Sequence, residues 1–211
     1  IPAVVFEASR WAELRTTHAA AATLLSRPNA LALLAEAQTA LRQARLRGAP
    51  LARLHNFFAI AFARLGRGAD ALAAQQAALE EAERAELAAE LPLYLLNLGT
   101  ALHREGKLGV ARDTYARGAR LCNAATRLST RAFLFANQAN IAVALGQLDE
   151  ADELLKRADE VSASAALPQV EVVLRQLRAD CALARAQADA ALQDYLACCA
   201  HYHAHADPRR L

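Results

Sequence analysis

The stretch 97-NLGTALHREGKLGVARDTYARGA-119 decides the fold. It sets Gly99, Gly106, Ala111 and Gly118 around one aromatic residue, Tyr115, in a chain otherwise rich in Ala, Leu and Arg. Stepping 40 residues either way brings Gly66, Gly106 and Gly146 into register, with Ala186 as the fourth. Seven places earlier the column reads Ala59, Gly99, Ala139 and Ala179. Five places after the glycine it reads Ala71, Ala111, Ala151 and Ala191, and seven further on Ala78, Gly118, Ala158 and Cys198. Small residues recurring in one frame, with nothing bulky among them, define a tandem repeat.

Between these columns the apolar residues return at intervals of three and four, as in Leu95, Leu98, Leu102 and then Leu108, Ala111, Tyr115. That is the helical period, and strict alternation is absent. Each unit is therefore expected to hold two helices, with the glycine in a left-handed turn that ends the first. Small residues at facing positions let paired helices approach closely. Pro28, Pro50, Pro92, Pro168 and Pro208 fall at expected helix ends, where a missing N–H costs least. Asp149, just after Gly146, reads as an N-cap, with Asp152 three residues on.

This pattern resembles the tetratricopeptide repeat: small at the eighth position, glycine at the turn, alanine at the twentieth, large at the twenty-fourth (Tyr115, Leu155, Tyr195) and small at the twenty-seventh. The usual period is about 34 residues; here it is lengthened. The resemblance implies an all-α superhelix of about five helical hairpins forming one domain over 1–211. Its repeats would be 52–91, 92–131, 132–171 and 172–205. Residues 8–48 fit loosely, through Ala19 and Ser26, with Leu31 where alanine should stand; they read as a degenerate capping hairpin.

Composition bounds the function. Hydrophobic residues make up 55% of the 211, and the net charge of +2 is too small for the basic field that nucleic-acid binding needs. No apolar run reaches membrane-spanning length unbroken. Cys122, Cys181, Cys198 and Cys199 show neither metal nor disulfide-framework spacing, which favours a reducing, cytoplasmic setting. The predominance of Arg over Lys, with the alanine excess, suggests a GC-rich bacterial genome. The opening IPAVVFEASRW reads as part of a longer chain.

Phosphate loops, nucleophile elbows and paired carboxylates are absent from the sequence, so no catalytic role and no cofactor are expected. The acidic run of Glu80, Glu81, Glu83, Glu86 and Glu90 reads as a solvated helix face. Cys198, His201 and His205 would share a helix face and form a weak metal candidate, against which Cys198 occupies a packing column.

In the resembled family the first helix of each pair lines a concave groove. Carried onto this chain, the groove positions include Arg53, Asn56, Phe57, Ile60 and Arg64, then Asn97, Thr100, His103 and Arg104. Later units supply Phe133, Asn137 and Asn140, then Gln176 and Asp180. Asn97 and Asn137 stand one repeat apart. An Asn amide donates and accepts, so such residues can bond the backbone of an extended peptide; alternatively they bond between neighbouring helices or face water.

The expectation is a protein- or peptide-binding module. The tail from Ala190 is similar to the end of such arrays in bacterial signalling proteins, ahead of GGDEF diguanylate cyclase or histidine kinase outputs. That implies a sensory role, gated by a peptide or a small ligand. A homodimer through Tyr195, Leu196 and Tyr202 is the third expectation.

Overall fold

The computed structural model describes residues 3–205, and the side chains of 7–203. Among them the chain forms α-helices and no strand: α1 (Ala3–Leu24), α2 (Ala30–Gln43), α3 (Ala49–Arg64), α4 (Gly68–Arg84), α5 (Leu91–Arg104), α6 (Leu108–Arg120), α7 (Leu128–Ala144), α8 (Leu148–Ala165), α9 (Pro168–Ala184) and α10 (Ala188–His205). The all-α hairpin architecture read from the repeat is what the chain adopts. The helices begin a few residues before each repeat frame, and the first hairpin already starts at Ala3.

The glycine column does what its spacing requires. Gly66, Gly106 and Gly146 have φ of 71°, 72° and 73°, the left-handed region that a Cβ disfavours. At each, the glycine N–H bonds to the carbonyl three residues back and the next N–H to the carbonyl five back: Gly106 to His103 and Lys107 to Leu102, at 2.9 and 3.0 Å. This Schellman arrangement satisfies carbonyls that the helix end leaves open. The same pair of bonds recurs at Ser26, Arg45, Glu86 and Ala186, with side-chain-bearing residues in the left-handed position.

Pro50 and Pro92 lie in the first turns of α3 and α5, and Pro168 opens α9. Pro208 lies outside the described residues. Asp149 is not an N-cap. That place belongs to Gln147, whose N–H already closes the preceding turn on Ala142 at 2.8 Å. The helix starts at once, and Asp149 and Asp152 instead meet Arg185 at 3.3 and 2.8 Å.

The chain forms two compact units, 1–114 and 115–211, the division falling within α6. In the first unit α1 packs on α2 and α3, α3 on α4, and α4 on α5. Its core holds Ala12, Ala19, Leu34, Leu41 and Leu54, all fully buried. In the second, α7 packs on α8 and α9, and α9 on α10, around Ala139, Leu155, Val170 and Leu174. Each fully buried Leu contributes on the order of 1.5–3 kcal/mol. The small columns lie inside: Ala59, Ala71, Ala78, Ala111, Ala139, Ala151, Ala158, Ala179, Ala191 and Cys198 are all buried.

All four cysteines are free and belong to the second unit; Cys181 and Cys198 are buried, Cys199 exposed. The one tryptophan, Trp11, is in the first, on α1, with the Arg15 guanidinium over its ring. No helix among the described residues is long and apolar enough to cross a membrane.

Candidate functional site

In the first unit, α3, α4 and α5 enclose a recess of about 500 Å³. Small residues open it: Ala59 and Ala63 on α3, Gly68 and Ala71 on α4, and Ala101 on α5. Asn97, Thr100 and Arg104 line it from one face of α5, at the helical spacings of three and four, and Gln75 lines it from α4.

A chain of side-chain amides joins the three helices here. The Oδ1 of buried Asn56 accepts from Gln75 Nε2 at 3.0 Å and from Asn97 Nδ2 at 2.8 Å. Asn56 thus bonds between helices, while Asn97 is only partly buried and borders the recess. Gln75 is 4% exposed, yet its Oε1 has no hydrogen-bond partner. A buried carbonyl left so costs about 1–3 kcal/mol.

Sequence reasoning missed Gln75, Gly68 and Glu105. Gln75 stands in the column that holds Tyr115, Leu155 and Tyr195, so a polar residue replaces a large one. Gly68 stands where Leu108, Leu148 and Ala188 do, and the Glu105 carboxylate occupies the space its side chain would need. Those two departures from the repeat were the available signal.

The other expected groove residues separate by environment. Arg64 borders the recess, but its guanidinium donates to Thr23 O and to Ser26 Oγ, fastening the end of α1. Arg53 is exposed, with Nε on Ala49 O at 3.3 Å. His103 is partly buried on α5 and does not line the recess. Thr100 Oγ1 donates to Leu96 O at 2.9 Å.

In the second unit, Asn137 and Asn140 are partly buried on α7 and Gln176 is exposed on α9. Asp180 accepts the Tyr195 hydroxyl, and that hydrogen bond, with burial, pushes the phenol up to about 12. Leu196 and Tyr202 are exposed on α10. Cys198 is buried, its Sγ 3.7 Å from Val172 O, and burial raises its thiol pKa. With His201 it borders a recess of about 240 Å³. The side chain of His205 lies outside the described residues, and among those described no three His, Cys, Asp or Glu could hold a metal.

Comparison with models of known protein families finds no match, and no curated protein matches the chain.

Proposed function

We propose that the chain is a non-catalytic helical-repeat module of the tetratricopeptide kind, with lengthened repeats, that holds an extended segment of a partner protein. The observation that carries this reading is that Gln75, whose buried Oε1 is unpartnered, lines a recess together with the partly buried Asn97. An extended backbone offers alternating N–H and C=O groups, which suit an acceptor beside an amide that can do both. The wider role is regulatory, within a larger bacterial cytoplasmic signalling protein whose output domain is a diguanylate cyclase or histidine kinase.

The test is fluorescence anisotropy against a library of extended peptides. Peptides that bind should lose about tenfold in affinity, roughly 1.4 kcal/mol, with Asn97→Ala and with Gln75→Leu. Asn97→Ala should melt close to the parent chain, since Asn97 is only partly buried. A library without a binder, or binders indifferent to both substitutions, overturns the reading.

A further inference from the structure

Away from the amide recess, the first unit holds a second concavity bordered by three arginines. It measures about 380 Å³ and is bordered by Gln38, Arg42, Arg45, Arg47 and His55, with Leu46 and Leu51 as its apolar wall. Gln38, Arg42 and Arg45 follow one another at spacings of four and three, which puts them on one side of α2 and its cap. Leu51 and His55 face them from α3 at a spacing of four. No carboxylate lines this recess.

Three other arginines of this unit have acidic partners: Arg15 with Glu36, Arg67 with Asp70 and Arg84 with Glu81. Among the described residues Arg42, Arg45 and Arg47 form no ion pair, although all three border one recess and like charges brought close repel. Arg45 sits at φ 54°, in the left-handed cap position that glycines hold at 66, 106 and 146 and that Ser26, Glu86 and Ala186 also hold.

We propose that this recess binds a small phosphate monoester, with the guanidiniums of Arg42, Arg45 and Arg47 on the phosphoryl oxygens and the organic part against Leu46 and Leu51. Guanidinium forks match phosphate oxygens, and each such bond is charge-assisted. The volume lies in the range of small-ligand sites and exceeds what a bare anion fills. His55 supplies a built-in reporter. Burial lowers its pKa most, Glu81 on α4 pulls it partly back, and Arg42 lowers it further. A bound dianion pushes it back up, so binding takes up a proton at His55 while the pH stays above the monoester's own second pKa of about 6.

The experiment titrates the whole chain with phenyl phosphate and with inorganic phosphate, by calorimetry and by the imidazole NMR signals of His55. Saturable one-to-one binding, a raised His55 pKa and weakening by salt are expected. The monoester should bind more tightly than inorganic phosphate. Arg42→Gln with Arg47→Gln should reduce affinity at least tenfold; Arg10→Gln, on exposed α1 surface, and Asn97→Ala, in the amide recess, should not. Thermal melting controls for folding, and Arg47→Gln alone, outside any helix, should still weaken binding several-fold. Absence of saturable binding, a double variant equal to the parent, or binding of oligonucleotides without binding of the monoester would each overturn the proposal.

Discussion

At position 81 the chain places a carboxylate where the later repeats have Leu121, Val161 and His201. Its acidic neighbours Glu80, Glu83, Glu86 and Glu90 are exposed, as a solvated face should be, but Glu81 is buried, at 4% exposure. One oxygen accepts the Gly48 N–H at 2.7 Å and the other pairs with Arg84. Gly48 is the N-cap of α3 and has no side chain to satisfy that helix end. The cap is therefore lent by α4, an arrangement composition cannot reveal because it depends on the α2–α3 link arriving over α4. Glu81→Ala should lower unfolding free energy by about 2 kcal/mol, combining a lost cap with an open N–H. Glu81→Gln should cost about half as much, since an amide oxygen still accepts and the Arg84 partner is largely exposed. Urea unfolding decides it; an alanine variant within 0.5 kcal/mol of the parent would refute the capping role.

Among elements, the repeated helix end invites a reciprocal comparison. A Cβ added at Gly66 or Gly146 meets nothing within 4 Å, so substitution there is purely conformational. Gly146→Ala should cost about 1 kcal/mol, and Ala186→Gly, at φ 59°, should gain up to about the same. Finding both changes neutral in urea titrations would mean that the turn geometry does not limit stability. The glycine column made these turns legible in advance. The N-terminal ends of the second helices were not: a three-residue link whose last N–H is already used leaves Asp149 inside the helix, so cap preference lost to link length.

For the molecule as a whole, the forty-residue interval was enough to read five hairpins, because small residues at fixed spacing constrain helix approach everywhere alike. The candidate site was legible only as a departure from that regularity. Asn56 and Asn97 stood out by residue type, but their mutual bond, and the open carbonyl of Gln75, arise from how three helices meet. The division between residues 114 and 115 had no sequence signature, since the repeat passes through it unchanged. That division has a practical corollary. The sole indole belongs to one half of the chain and every sulfhydryl to the other. Loss of the Arg15 contact on the Trp11 ring gives the first half an emission signal, while uptake of a thiol-specific dye at Cys181 and Cys198 clocks the second's melting, after exposed Cys199 and the partly buried Cys122 have reacted. If the halves open independently, the two midpoints separate in unmodified protein, with no engineered label.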